Sequence, residues 1–360
     1  WRRVLRFATS DGIQYYSGTL PSDCGEPGRM DDMDIKTNVA ITHVSRLFNQ
    51  IASPSLFEHV KLEGASRALK LFRRLSAAGP NGPRQWIKVI WDDDPRSTMA
   101  QMVTGILRLC IDLQGFFWFH PNRGAHFRNR KSHEKKMIAH IPGDIHIFRW
   151  NGAVECPTLG TFLRRASATL RVLVIMGSII CDCEVHMPIA FPSLTHLTIG
   201  GTTNFLKSLG PTLSLAELTL HGGDPNIISK ILAPERTGTL RVLRFGNEMR
   251  VRASSNIFTG IHYYSHKGYP SLTPWTSDLN HPALRHLSVT GMGDDRYQTI
   301  QHARSWLYLP FRYISTTRFP MLDTIILDGV LFGDAEPTDT SRIMLQRTSD
   351  DFSSAEISEI

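Results

Sequence analysis

A chain of 360 residues, of which 41% are hydrophobic and 20% charged, has enough apolar side chains to bury a large core, which excludes a wholly disordered protein. Its longest apolar stretch, residues 170–181, is interrupted by Arg171 and is too short to cross a bilayer, so the sequence predicts no membrane span. Its five cysteines are few, odd in number and scattered, which argues against a disulfide scaffold and predicts reduced thiols in the cytoplasm or nucleus.

The net charge of +7 is unevenly distributed along the chain. Residues 1–150 hold 22 Lys and Arg against 14 Asp and Glu, whereas residues 151–360 hold 18 against 19. Residues 331–360 hold 7 acids and 2 bases and are rich in Ser and Thr, so we expect an acidic, partly disordered tail. The first residue is Trp1 and not Met, which predicts that the sequence is a fragment.

The amino-terminal part predicts two helical units separated by an irregular insert. Residues 1–9 alternate apolar residues with arginines at helical spacing, and residues 10–36 are rich in Gly, Asp, Ser and Pro without a sustained period. Residues 37–62 repeat the helical spacing before a turn at Pro54 and an extended segment. The apolar residues that share one side of the first helix are Trp1, Val4, Leu5 and Phe7 or Ala8, and those that recur at helical spacing in the second unit are Val44, Leu47, Phe48 and Ile51.

A third amphipathic helix is predicted at residues 66–78. Ser66 is the expected N-cap, and Gly79 with Pro80 is expected to end the helix. Its expected inward residues are Ala68, Leu69, Phe72 and Leu75.

From residue 86 onward one short phrase recurs, written L-x-x-L-x-L. Its clearest copy is Leu194, Leu197 and Ile199. Most of the steps between copies lie near the period of about 20 to 29 residues that is typical of leucine-rich repeats. A longer step after residue 240 leaves room for a hidden strand at Phe258, Ile261 and Tyr263. The six clear copies begin at residues 170, 194, 215, 240, 284 and 322, and three looser, aromatic copies begin at residues 86, 113 and 145.

The phrase predicts an α/β fold, a leucine-rich-repeat solenoid of horseshoe shape with an N-terminal helical domain. Positions four and six point inward as on a short strand, and stacked copies bury one continuous core. Position five points outward, so we expect a row of position-five residues on the concave surface that binds a target protein. Arg149 and Arg244 in that row predict acidic groups on the target, although the row is equally compatible with strand residues that simply face water. The row contains Ile90, Phe117, Arg149, Val174, Thr198, Thr219, Arg244, Ser288 and Ile326.

Residues 123–136 contain six Lys and Arg, and we expect them to form a loop after the second copy of the phrase. The loop could bind phosphates or an acidic partner, because clustered cations concentrate anions, or it could be a solvated loop. Only Phe127 is available there for stacking on bases, so nucleic acid is not an expected partner.

No metal, cofactor or catalytic centre is predicted. Cys181, Cys183 and His186 resemble zinc ligands but lack a fourth one nearby, and His262 and His266 lack the glutamate of a zinc-protease helix. The run of aspartates at residues 92–94 is expected to be a charged turn. No nucleotide-binding or nucleophile motif occurs in a strand-to-helix context, so the chain is not expected to be an enzyme.

Two segments of the amino-terminal part carry a resemblance to a known family. Residues 1–9 read WRRVLRFAT, and residues 44–57 read VSRLFNQIASPSLF. Together they resemble the F-box domain common in fungal proteins, which combines with leucine-rich repeats in one class of these proteins. The resemblance implies domains at residues 1–62 (F-box-like), 63–85 (linking helix), 86–330 (repeats) and 331–360 (tail).

The resemblance implies a substrate-recognition subunit of an SCF-type ubiquitin ligase. The amino-terminal helices would bind a Skp-family adaptor and, through it, the cullin complex, while the repeats would hold an unknown target and the chemistry would lie in the partners. The implied adaptor contacts are Trp1, Val4, Leu5, Val44, Phe48, Ile51, Pro54 and Leu56. Two alternatives stay open: the helices only close the end of the repeat array, or the chain is an interaction scaffold without a ligase role.

Overall fold

The structure, a computed structural model, describes residues 40, 43–62, 64–79, 82–92, 97–119, 127–152, 154–176, 179–180, 188–200, 209–210, 212, 214–221, 239–246, 282–290, 319–328, 342–346 and 356–359. The described residues form two compact units: one within Trp1–Phe117 and His140–Pro142, the other within Trp118–Ala139 and Gly143–Ile360. The predicted helix at residues 1–9, the insert, the hidden strand, and the Cys181 and His262 groups lie outside the described residues. Among the residues that are described, no helix combines the length and apolar character that a membrane-spanning segment needs.

The first unit alternates helices with short strands. Strands β1 and β2 pair in parallel, and β3 follows β2 in the sheet. The elements in chain order are α1 Arg46–Glu58, β1 His59–Leu62, α2 Ala65–Ala77, α3 Pro83–Trp86, β2 Val89–Asp92, α4 Ser97–Leu107 and β3 Gly115–Phe119.

Two sequence-based boundaries in the first unit are wrong. Pro54 does not begin a new turn but lies inside α1, which starts at the N-cap Ser45, whose hydroxyl accepts a hydrogen bond from the Phe48 amide at 3.2 Å. Helix α2 has Gly64 and not Ser66 as its N-cap. The backbone of Gly64 has a φ of 85°, a conformation that glycine adopts without strain, so the chain turns there two residues earlier than predicted.

The first copy of the phrase is shifted by one residue from its predicted position. Trp86 belongs to α3, which Pro83 begins, and it is only half-buried, whereas Ile87 and Ile90 are fully buried. Parallel pairing sets Ile90 opposite Val60 of β1. Ile90 is therefore a core residue, and its predicted place in the outward row is wrong.

The second unit contains a mostly parallel sheet. Nine strands of the described residues follow the order β4-β6-β8-β9-β10-β11-β12-β13-β14. All neighbouring strands from β4 to β12 pair in parallel, whereas β13 pairs antiparallel with both β12 and β14. Strands β5 and β7 form a separate parallel pair. The predicted α/β fold with parallel strands is confirmed. The elements are α5 Phe127–His140, β4 Ile147–Asn151, β5 Val154–Glu155, α6 Cys156–Ala166, β6 Val172–Ile175, β7 Ile179–Ile180, β8 His196–Gly200, β9 Glu217–His221, β10 Val242–Gly246, β11 His286–Thr290, β12 Thr324–Asp328, β13 Arg342–Gln346 and β14 Glu356–Glu359.

Helix α6 precedes the phrase that begins at Leu170, and an expectation about the segment before β4 is wrong. The basic segment predicted as a loop is helical from Phe127, because Glu134, Met137 and Ile138 form a buried stripe at helical spacing. The acidic tail supplies β13 and β14, and its expected partial disorder stays a prediction. Its acidic composition concealed a short alternating segment at residues 342–346.

The phrases stack without slippage across the second unit. At position four of the phrase, Leu173, Leu197 and Leu218 lie side by side on adjacent strands. At position six, Ile175, Ile199 and Leu220 do the same. These side chains are at most 2% exposed, as are Phe148 and Trp150 at the matching positions of β4. Burial of each apolar side chain contributes roughly 1.5–3 kcal/mol, so the shared register carries most of the stabilisation of this unit.

Hydroxyl groups connect successive phrases at their turns. The residue just before each of four phrases is Ser or Thr, and its hydroxyl donates to a backbone carbonyl at the turn of the preceding phrase. The donors and acceptors are Thr169 to Ile145 at 3.1 Å, Ser193 to Ala168 at 2.8 Å, Ser214 to Pro192 at 2.7 Å and Thr239 to Leu215 at 2.9 Å. We call these four side chains the turn hydroxyls.

Candidate functional site: the outward face of the parallel sheet

The outward face of the second unit's sheet contains positions three and five of each phrase. Position five runs in register through Arg149, Val174, Thr198 and Thr219 to Arg244 and then Ser288. The predicted row is therefore contiguous in this unit. Arg149, Thr198, Thr219 and Arg244 are half-buried, and the side chain of Ser288 lies outside the described atoms.

Burial removes Phe117 and, in large part, Val174 from the predicted contact surface. Phe117, in the first unit, is 4% exposed, and Val174 is 9% exposed. A methyl group added at Gly115 would lie 3.4 Å from the Phe117 ring and 3.2 Å from Val89, so the missing side chain of Gly115 leaves the space into which Phe117 packs. The expectation that position five always faces solvent is wrong at these two residues.

A hydrogen-bonded cluster lies in the middle of the face. Glu217, at position three of its phrase, accepts from Arg244 Nη1 at 2.9 Å and lies 3.1 Å from His196 Nε2. The side chains come from three adjacent strands and are between one-fifth and one-third exposed. Burial raises the pKa of Glu217, but hydrogen bonds and charges from His196 and Arg244 outweigh burial and hold this pKa at about 2.

The cluster changes the role expected of Arg244. Its charge is already matched by Glu217, whose carboxylate stays ionised at neutral pH. Arg149 lies four strands away, about 19 Å at the usual strand spacing. The two arginines predicted to act together therefore lie in different electrostatic surroundings.

A second histidine–carboxylate pair repeats this arrangement farther along the sheet. His286 Nδ1 lies 3.3 Å from Asp323 Oδ1, which also accepts from the Thr324 hydroxyl at 2.9 Å. Asp323 is about half exposed, so the pair contributes little to stability. In both pairs the histidine stands at position three of one phrase and the carboxylate on the next phrase.

The hydroxyl of Thr195 lies close to two acceptors. Thr195 Oγ1 is 2.8 Å from His196 Nδ1 and 3.1 Å from the Arg171 carbonyl oxygen. Among the described residues no group of three His, Cys, Asp or Glu is placed to hold a metal ion.

The two described cysteines, Cys110 and Cys156, are buried. Burial raises the pKa of the Cys110 thiol to about 12, while the positive charge of Arg84 opposes that change. A thiol with so high a pKa is protonated at neutral pH and is a poor nucleophile.

The adaptor contacts implied by the resemblance are described only in part. Val44 is 68% exposed, and Phe48 and Pro54 are half-buried. Ile51 and Leu56 lie in α1 without described side chains, while Trp1, Val4 and Leu5 lie outside the described residues. Leu47, which the resemblance did not single out, is 62% exposed and stands three residues after Val44.

The cluster and the turn hydroxyls were not found from the sequence. A repeated Ser or Thr immediately before the first leucine of a phrase was the available signal for the turn hydroxyls. The Glu217 cluster had no such signal, because its three members come together only when the strands pair. No protein-family model matches the chain, and no curated protein matches it.

Proposed function

We propose that this protein is the substrate-recognition subunit of an SCF-type cullin-RING ubiquitin ligase. In this proposal the stacked phrases are a leucine-rich-repeat solenoid that holds a target protein, and the amino-terminal F-box-like part binds a Skp-family adaptor. The observation that carries the proposal is the unbroken register of the phrases. It supports a buried core on one face and, on the other, a continuous face of polar and apolar side chains, which is suited to holding a protein.

The exposed apolar residues of the first unit support the adaptor part of the proposal. Val44 and Leu47 expose more than half of their surface although each has apolar groups that gain from burial. Leu47 lies in the first turn of α1, and Val44 lies just before its N-cap, Ser45. A partner with an apolar groove would cover both.

A second candidate is an interaction scaffold without a ligase role. The Glu217 cluster supports the scaffold equally well, because all of its side chains come from this chain and none has to be supplied by an adaptor. The two candidates differ only in whether an adaptor binds.

Copurification of a Skp-family adaptor with the tagged chain separates the two candidates. We expect the adaptor to be recovered with the unaltered chain and Leu47→Glu to lower recovery by about tenfold, because a charge would have to be buried in the contact. Gln50→Glu, at another exposed position of α1, is the matched control and should leave recovery unchanged. No adaptor recovered with the unaltered chain would favour the scaffold.

A further inference from the structure

The residues at position two of each phrase form a row along the edge where the parallel strands begin. Backbone hydrogen bonds fix this row, since the Arg241 amide donates to the Ala216 carbonyl and the Arg285 amide donates to the Arg241 carbonyl, both at 2.8 Å. We call it the amino-terminal row. Its members are His146, Arg171, Thr195, Ala216, Arg241, Arg285 and Asp323.

Three cations of the amino-terminal row are not neutralised. The side chains of Arg171, Arg241 and Arg285 are exposed, and within the described part of the chain none of them is paired with a carboxylate. The one acid of the row, Asp323, is directed to His286 and Thr324. Arg244, by contrast, is neutralised by Glu217.

Arg241 and Arg285 stand on adjacent strands, so their backbones are about 4.8 Å apart. Like charges on neighbouring strands repel each other, and an anion that contacts both relieves this repulsion. Guanidinium groups bind carboxylates through two parallel hydrogen bonds, which favours an acidic ligand at this pair.

We propose that Arg241, Arg285 and Arg171 bind an extended segment of the protein partner that carries Asp or Glu side chains, an inference that rests on the proposed function of the face in holding a protein. The carboxylate of Asp323, within the row, interrupts its positive charge and would repel the uninterrupted charge of a nucleic-acid backbone. A protein segment can place its acids opposite the three arginines and neutral residues elsewhere.

The strand spacing also sets the spacing of the acids. Arg171 is three strands from Arg241, about 14 Å, which an extended segment covers in about four residues at about 3.4 Å each. Adjacent Arg241 and Arg285 match acids two residues apart, about 7 Å, because long arginine side chains can diverge. The fitting pattern is acid-x-acid followed by three residues and a further acid.

Fluorescence anisotropy of the full chain with a labelled peptide tests the proposal. The probe is Glu-Ser-Glu-Ser-Ser-Ser-Glu, with Gln in place of each Glu in the control peptide. We expect the acidic probe alone to bind, and Arg241→Gln with Arg285→Gln to weaken its binding by at least about tenfold. Binding should also weaken as salt rises from about 0.05 M to about 0.3 M. The control variant, Arg73→Gln with Arg108→Gln, removes two exposed arginines of the first unit and should leave binding unchanged.

Three results would overturn the proposal: no binding of the acidic probe, equal loss in both double variants, or tighter binding of a single-stranded oligothymidylate that the Arg241 and Arg285 substitutions abolish. The adaptor copurification is measured on the unaltered chain, beside the peptide titration. An adaptor recovered without peptide binding contradicts this inference alone, whereas peptide binding without an adaptor contradicts the ligase role alone.

Discussion

Leu197 occupies an inward position in the middle of the sheet, where it is 1% exposed and in register with Leu173 and Leu218. Leu197→Asp buries an unpaired carboxylate, which costs several kcal/mol, and we expect loss of cooperative unfolding in the second unit. Thermal unfolding followed by circular dichroism measures the effect. Thr198→Asp, one residue later and on the outward face, should unfold close to the unaltered protein. Equal effects of the two substitutions would show that the inward register is incorrectly assigned.

The ionisation of the single side chain of Glu217 makes the folding stability of the protein depend on pH. Its pKa is lowered from 4.5 to about 2 in the folded protein, so its contribution is fully present above 4.5 and is lost as pH falls toward 2. The difference between these two pKa values corresponds to at most about 3 kcal/mol of folding stability. We expect Glu217→Gln to destabilise the protein at about pH 6 and to have little effect at about pH 2, measured as urea midpoints.

Glu155→Gln is the matched control for this pH dependence. Glu155 is 40% exposed and lies 3.8 Å from Lys135, so its ion pair is weak. Its substitution should change the midpoint little at either pH. A Glu217→Gln variant whose loss of stability is the same at both pH values would contradict the role given to its carboxylate.

At the scale of the elements, the turn hydroxyls predict how neighbouring phrases are held together. Ser214→Ala removes a 2.7 Å hydrogen bond between turns and should cost about 0.5–1.5 kcal/mol, seen as a lower midpoint in urea. Ser167→Ala is the control, because the Ser167 hydroxyl bonds only within its own helix turn, to Arg164. A smaller loss for Ser214→Ala than for Ser167→Ala would contradict the role of the turn hydroxyls.

Two phrases lack this hydroxyl and allow the converse experiment. Ala283 and Met321 precede Leu284 and Leu322, where the other four clear copies of the phrase have Ser or Thr. Ala283→Ser should raise the urea midpoint, because the new hydroxyl can donate to a carbonyl of the preceding turn. A midpoint that falls would mean that the turn before β11 differs from the turns before β6, β8, β9 and β10.

The elements that were predictable from the sequence are those whose apolar pattern is local. From Ile145 onward the phrase positions that the structure describes are buried as the pattern indicates, because each inward position is set by its own strand. The first copy was misplaced because Trp86 resembles a leucine slot, while Pro83 holds it in a helix. Helix α5 was missed because Glu134 occupies a buried slot where an apolar residue is the usual signal.

The candidate site was less predictable than the fold for a physical reason. The position-five row follows from strand alternation and could be derived residue by residue. Which cations are neutralised depends on residues of neighbouring strands, such as Glu217 beside Arg244. Charge pairing across strands has no period in the sequence. The position-five pattern therefore indicates Arg244 as a contact residue but gives no signal for Arg241 and Arg285.

At the scale of the whole molecule, an open sheet predicts a gradient of local stability in the second unit. Strand β9 has paired neighbours on both sides, whereas β14 ends the order of strands and pairs only with β13. We expect slow hydrogen exchange for the amides of β9 and fast exchange for those of β14, since opening an edge strand breaks one ladder and not two. Exchange measured by mass spectrometry at matched pH tests this, and equal protection of the two strands would contradict it.

The alternation of inward and outward side chains has a consequence for how such a protein can change over generations. Thr198 and Leu197 are neighbours in the chain but occupy separate environments. Thr198 is half-buried on the outward face, whereas Leu197 is buried in the core. Substitutions on the open face therefore cost little in folding, while those in the core are removed by selection. Descendants of one ancestral chain can thus diverge on the open face while they inherit the same core.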